Sequence, residues 1–206
     1  MKNNNGFTLV ETAVVLVIIG LILGGILGSR SLIRSMQAKD VIAIVEDLRA
    51  ATVYFKQRRS YLPGDFPVSA NGEIPNISTP GGNGNGAING TINAQGQANA
   101  GSEVEAASWH LYNDGFINKI DNTDPRRRLR TLYGAAHLII TANSGVAAYA
   151  AANPTVRNVI VFTNLPRDLV EEVDSKIDNG DRTTGRAIGN APNASDVIDR
   201  YAIALE

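Results

Sequence analysis

The sequence predicts an α+β protein: a long N-terminal helix, its first half suited to a membrane, packed through its second half on a small antiparallel β-sheet domain. Three observations predict it. Residues 12–29 form a run of eighteen without a charge. From Arg30 the apolar residues recur at intervals of three and four, the repeat of a helix with one buried face. Beyond Pro63 they fall instead into short runs bounded by Gly, Pro and Asn, as strands do. The 206 residues allow one domain, or two small ones at most.

Composition narrows the chemistry. Nineteen basic residues against twenty acidic ones leave a net charge of −1, so the whole chain offers no electrostatic footprint for nucleic acid. A hydrophobic fraction of 44% excludes wholesale disorder. Twenty glycines and eight prolines require that part of the chain be rich in loops. The absence of cysteine excludes a disulfide scaffold, a thiolate metal site and a cysteine nucleophile together. His110 and His137 are the only two histidines.

The helix comes first. At 1.5 Å per residue, residues 12–29 span roughly 27 Å, and adding residues 7–11 brings the span to about 34 Å, enough to cross a bilayer core. A secretory signal peptide is the competing reading, with Gly24, Gly25, Gly28 and Ser29 mimicking a cleavage site. Three features disfavour it: the charged leader is only residues 1–6, Glu11 sits inside the apolar stretch, and the segment runs on as an amphipathic helix. That second half places Ile33, Met36, Val41, Ile44 or Val45, Leu48, Thr52 and Phe55 on one stripe, with Arg34, Lys39, Asp40, Glu46, Asp47, Arg49 and Lys56 elsewhere. No proline intervenes before Pro63. A helix over 7–58 would be close to 80 Å long. A domain of this size cannot cover such a rod, which needs a membrane, other copies of itself, or both.

Glu11 is the most informative residue, because a carboxylate within a membrane span is costly and marks a function with a nameable partner. If the chain is cut after Gly6, Phe7 carries a new α-ammonium group. Glu11 then lies one helical turn on, placed to pair with its own terminus or a neighbour's, and suited to the helix dipole.

Gly6-Phe7-Thr8-Leu9-Val10-Glu11 followed by the apolar run resembles the cleavage and methylation signature of type IV pilins and type II secretion pseudopilins. The resemblance implies a pilin-like fold and a division into leader peptide 1–6, long helix 7–58 and globular domain 59–206. It implies that a prepilin peptidase cuts between Gly6 and Phe7 and N-methylates Phe7. Glu11 would neutralise the terminal amine of an adjacent subunit during assembly. The implied partners are other copies or related pilins, the prepilin peptidase and an inner-membrane assembly platform. The implied location is the bacterial inner membrane, single-pass, and then a periplasmic or extracellular filament.

The sequence departs from that pattern in places. Gly24, Gly25 and Gly28 stand where many pilins carry a mid-helix proline, and glycine weakens a helix, so local melting is expected there. The missing C-terminal disulfide loop moves weight toward pseudopilins or minor pilins. The presence of Glu11 argues against a tip-initiating pseudopilin. Only Lys2 precedes the run whereas Arg30, Arg34 and Lys39 follow it, a distribution that by itself favours a cytoplasmic C-terminal side. The signature implies the opposite orientation, and long domains translocate largely regardless of charge.

In the remainder, Tyr61-Leu62-Pro63-Gly64-Asp65-Phe66-Pro67 ends the helix. It too resembles segments that follow the long helix in many prepilin-type proteins. Residues 81–101 hold seven glycines and five asparagines, which predicts a surface loop that buries no core. Ser102-Glu103-Val104-Glu105 has the spacing of a capping box and opens a helix with Ala106, Trp109, Tyr112 and Phe116 on its apolar side. His110 falls off that stripe, a surface or packing position, and Trp109 reads as core. Asn113-Asp114-Gly115 ends this helix. Strands are predicted over 136–141, 145–151, 158–163 and 197–205. Pro166 opens a further helix at the position where a missing N–H costs nothing, with Leu169, Val173 and Ile177 on one side and Asn179-Gly180 as the stop.

Three segments raise ligand questions. Asp174, Asp178, Asn179 and Asp181 gather oxygen donors within eight residues and make a candidate calcium site, resembling calcium binding near the C-terminal strands of some major pseudopilins; the competing reading is a helix cap and turn. Gly82-Asn83-Gly84-Asn85-Gly86 is a weaker, uncharged version of a calcium loop. Pro125-Arg126-Arg127-Arg128-Leu129-Arg130 is the one dense basic patch, and without interleaved aromatics it reads as a solvated face or subunit contact rather than a grip on nucleic-acid phosphates. No nucleophile elbow, zinc-protease motif or P-loop is present, so the chain is not expected to be an enzyme. Two functions remain: a filament subunit, or a single-pass membrane-anchored periplasmic binding module that is not assembled into filaments.

Overall fold

A computed structural model describes residues 8–67, 81–118 and 120–205, except for the side chains of residues 26–31. The predicted leader 1–6 and the cleavage pair Gly6 and Phe7 lie outside the described residues. The chain divides into two compact units, Met1–Gln37 and Ala38–Glu206.

The first helix, α1, runs over Leu9–Arg59. It runs unbroken through Gly20, Gly24 and Gly25. Apart from the helix's own backbone, nothing among the described residues lies within 4 Å of where a Cβ would stand on those three glycines. Every large apolar side chain from Leu9 to Leu23 is 46–89% exposed. Among the described residues no helix is long and apolar enough to cross a membrane.

In the second unit α1 contributes Ala38, Val41, Val45, Leu48, Ala51, Thr52 and Phe55 to the core, the three-and-four spacing of a single buried face. Val45, not Ile44, is the fully buried member of that pair. The stripe starts later than the sequence suggests. Ile33 and Met36 are 54% and 57% exposed, and a fully buried Ala38 begins the stripe instead. Ser60 (φ 65°) and Gly64 (φ 88°) then turn the chain off the helix axis. Gly64 cannot be another residue, because a Cβ there would stand 2.3 Å from the Glu103 carbonyl oxygen.

The sheet has five strands in the order β1-β2-β3-β5-β4, every pair antiparallel: β1 (Leu129–Arg130), β2 (Ala135–Ile140), β3 (Asn158–Pro166), β4 (Ala187–Gly189) and β5 (Val197–Ala204). β3 is central and buried along almost its whole length, pairing Phe162 with Ala136 on one side and Tyr201 on the other. The two edges are the shortest strands, which limits unpaired backbone. Helices α2 (Glu103–Asn113), α3 (Ala147–Ala152) and α4 (Arg167–Ile177) complete the fold. The second unit is α+β, with the C-terminal part of α1 sharing one apolar core with the sheet.

Several expectations need correction. Residues 145–151 are not a strand: Ala147–Ala152 is helical, because five alanines in six residues favour helix over any pairing they offer a strand. Pro166 ends β3 and caps α4 from outside rather than serving as its first residue. The Gly/Asn-rich segment 81–101 is a loop, yet Ala87, Ile88 and Ala98 within it are 0–1% exposed and belong to the core. In α2 the packed face is Val104, Ala107, His110 and Leu111, while Trp109 and Tyr112 are half-buried. β1 and β4 were not foreseen, being too short for any alternation to register.

Candidate functional site

The candidate site is the start of α1. The Thr8 carbonyl accepts the first helical hydrogen bond, from Thr12 N–H at 3.2 Å, while Thr8 itself lies outside the helix. Thr8 is therefore the N-cap. Its Oγ1 accepts from Glu11 N–H at 3.2 Å, and Glu11 Oε2 accepts in return from Thr8 N–H at 3.4 Å. Thr8 and Glu11 thus form a reciprocal capping box, with the Glu11 carboxylate turned toward the amino end of the helix. The carboxylate there also faces the positive end of the helix dipole. Thr8-Leu9-Val10-Glu11 has the T-x-x-E spacing of the capping box.

The other candidate residues are all bound up in structure. Asp174 is fully buried, its Oδ1 accepts from Tyr201 OH at 2.9 Å, and its Oδ2 has no partner. Burial pushes the Asp174 carboxyl above the usual carboxylate range. Asp178 Oδ2 accepts from the N–H groups of Arg186 (2.6 Å) and Ala187 (2.9 Å). Asn179 accepts from Asp181 N–H, and Asp181 accepts from the N–H and hydroxyl of Thr183, which holds its carboxyl below the usual range. Among the described residues no three acidic or imidazole side chains gather where a metal ion would sit. The structure does not bring the four calcium candidates to one point, and the contacts it shows are those of a cap and turn.

The Gly82–Gly86 loop is arranged opposite to a cation site. Its N–H groups point inward at carboxylates: Asp65 accepts from Asn85 (3.0 Å) and Gly86 (2.7 Å), and Glu103 accepts from Asn83 (3.2 Å) and Asn89 (2.7 Å). Asn158 adds Oδ1 as acceptor for Ile88 N–H and Nδ2 as donor to the Gly86 carbonyl. The basic patch is partly neutralised within the chain. Arg127 lies 3.4 Å from Asp124, Arg130 bonds Asp121 at 3.0 Å, and Arg128 stacks 4.2 Å above the Trp109 ring. A cavity of about 10 Å³ beside Glu105, Ser108, Arg128 and His137 holds room for roughly one water molecule.

His110 is packed, not exposed. Its ring stacks on Phe55 and meets the edge of Phe66, and its Nδ1 accepts from Gly64 N–H at 3.0 Å. This fixes the proton on Nε2, which has no partner. Burial lowers its pKa to about 4. Beside it Asp114 caps α2 and takes two hydrogen bonds from Arg59, at 2.6 and 3.0 Å, tying the ends of α1 and α2 together.

A long helix opening at Thr8 with Glu11 in its first turn, continued into an α+β domain, is a pilin-like arrangement. Residues 1–27 match the family model described as the prokaryotic N-terminal methylation motif. The chain therefore carries the methylation motif of type IV pilin and pseudopilin prepilins at its N-terminus. Neither the curated proteins nor the solved structures yield a match. The motif implies processing by a prepilin peptidase and anchoring in the inner membrane beforehand, and it points to a structural rather than an enzymatic role.

Proposed function

We propose that this protein is a structural subunit of a type IV pilus-like filament, a pilin or pseudopilin, cut between Gly6 and Phe7, methylated on Phe7 and assembled through α1. The observation that carries the reading is the methylation motif over residues 1–27 with Glu11 in the first turn of the helix that follows. The apolar side chains of Leu9–Leu23 support it. They cover all sides of the helix and are 46–89% exposed, which calls for lipid first and neighbouring copies afterwards. Glu11 then neutralises the new ammonium group of Phe7 on an adjacent subunit, a pairing strengthened by the low dielectric around it. The other implied partners are the prepilin peptidase and an inner-membrane assembly platform.

Glu11→Gln tests the charge, since it keeps shape and hydrogen-bonding oxygen but not the negative charge. The expected outcome is normal leader removal with filaments reduced at least tenfold in sheared or periplasmic fractions. Filaments at wild-type level would contradict the charge-pairing mechanism.

A further inference from the structure

The second unit carries two exposed apolar patches, and charges of opposite sign surround them. Among its described residues the exposed large apolar side chains are Val53, Tyr54, Tyr61, Leu132 and Tyr133. Tyr61 packs edge-on against Phe66 at the turn that ends α1. The others form two pairs: Val53 and Tyr54 on the outer face of α1, and Leu132 and Tyr133 at the tip of the β1–β2 hairpin. We infer that this hairpin tip docks on the outer face of α1 in a second copy of the chain, its arginines over Glu46 and Asp47 and its Leu132 against Ala50 and Tyr54. The inference rests on the filament reading and names a contact through which the domains of neighbouring subunits meet.

The α1 surface is a row of its own. Ala43, Asp47, Ala50 and Tyr54 recur at intervals of four and three and are all exposed, on the side of the helix away from the buried Val41, Val45, Leu48 and Thr52. Between Lys39 and Lys56 the exposed charges are Asp40, Glu46 and Asp47, all acidic. Arg49 is half-buried and is spent on the Ala204 carbonyl, at 2.7 and 3.1 Å.

The hairpin is its complement. Residues 121–130 set four arginines against two aspartates, so positive charge is left over after the internal pairs are made. Leu132, just beyond them, is 76% exposed. The tip is stiff. Thr131 N–H donates to the Gly134 carbonyl at 2.9 Å, and Thr131 Oγ1 accepts from the N–H groups of Tyr133 and Gly134 at 3.3 and 3.0 Å. At its root a Cβ on Gly134 would stand 2.1 Å from the Thr163 carbonyl oxygen, so the hairpin is pressed onto β3. A stiff tip loses little freedom on docking.

The two patches do not cover each other within one chain, since Tyr54 and Leu132 are both exposed. A contact between two different patches is heterologous, and it repeats from copy to copy into an open helical array instead of closing a pair. Opposite charges around the apolar centre fix its register and exclude like against like.

The chain has no cysteine, so introduced pairs report only themselves. The test combines Leu132→Cys with Ala43→Cys, Ala50→Cys, Val53→Cys or Tyr54→Cys in the full chain, and mildly oxidises filaments from cells with an active prepilin peptidase. Ala194→Cys, an exposed position between β4 and β5, replaces the α1 cysteine as the control. A disulfide needs Cα atoms within about 7 Å, so at least one α1 pairing should give a ladder of dimers, trimers and higher forms about tenfold above the control. Each single variant should stay monomeric, because the contact is heterologous. Adding Glu46→Lys and Asp47→Lys to the best pair should lower the ladder about fivefold. No ladder from any of the four pairings in assembled filaments would overturn the inference. So would dimers from Leu132→Cys alone, which assign a symmetric hairpin–hairpin contact, or a ladder indifferent to the two lysines. A wild-type chain that keeps its leader and forms no filaments would overturn the filament reading, and this contact with it.

Discussion

His110 and His137 are neutral imidazoles inside the second unit, 0% and 4% exposed, and burial holds both near a pKa of about 4. Gly64 N–H donates to His110 Nδ1, a bond only the neutral ring can accept, whereas the Gly96 carbonyl at 3.0 Å from His137 Nε2 favours the charged ring and is outweighed by burial. Above pH 6.5 the rings are neutral folded and unfolded, so full stability is present. As pH falls, the unfolded chain takes protons near 6.5 whereas the folded one waits until about 4. Stability is lost across that window, by about 2 kcal/mol per histidine at pH 5. Thermal melting between pH 7 and pH 5 checks this, and a constant Tm would contradict neutral burial of both rings. Tyr201→Phe belongs to the same scale. It strips Asp174 of its one side-chain donor and should cost about 1–3 kcal/mol at pH 7. Because burial already raises that carboxyl, the penalty applies to the ionised form and should shrink in denaturation measured at pH 4. A loss that is equal at both pH values would mean that the hydroxyl matters for packing alone.

At the scale of elements, the Gly/Asn-rich loop is the feature whose order is least expected. Asp65, 1% exposed, takes the N–H groups of Asn85 and Gly86 and anchors the loop from the turn that ends α1. Asp65→Ala should cost about 2 kcal/mol, since it leaves two donors without their charged acceptor. It should also expose residues 81–89 to limited proteolysis, and a loop as resistant as wild type would show that Asn158 and Glu103 suffice. The same loop shows why sequence reading reached only part of the fold. Composition alone marks residues 81–101 as a surface loop that buries no core, but Ile88 donates its N–H to Asn158 Oδ1 and accepts from Ile140 N–H, partners far along the chain that no local pattern connects to it. Where a rule is local it worked: Ser102 caps α2 through Glu105 N–H, and Gly115 (φ 81°) follows its end. The long periodic stretch of α1 was legible because its stripe repeats over many turns. Strands β1 and β4 were not, since two or three residues carry no period, and Ala147–Ala152 was misread because a run of alanines suits both a buried strand and a helix. In the candidate site, Glu11 was legible by its charge within an apolar run. Its partnership with Thr8 had to be seen in three dimensions, although the T-x-x-E spacing permits it.

At the scale of the molecule, the two units have different needs. Among the described residues, Ala38–Glu206 buries a core of its own. Met1–Gln37 does not: its described apolar side chains are exposed on every side, so its stability has to come from lipid or from other copies. Division of labour between a self-sufficient domain and a dependent helix is what a filament subunit requires, because assembly then exchanges one apolar environment for another without refolding the domain. The central claim is that the Gly6–Phe7 bond is cut to release the amine that Glu11 answers. Mass spectrometry of the N-terminus of the native protein from cell envelopes tests it directly. The account predicts a chain beginning at Phe7 with one added methyl group. A chain that still begins at Met1 or Lys2, in cells whose prepilin peptidase is active, would contradict it and leave a plain membrane anchor.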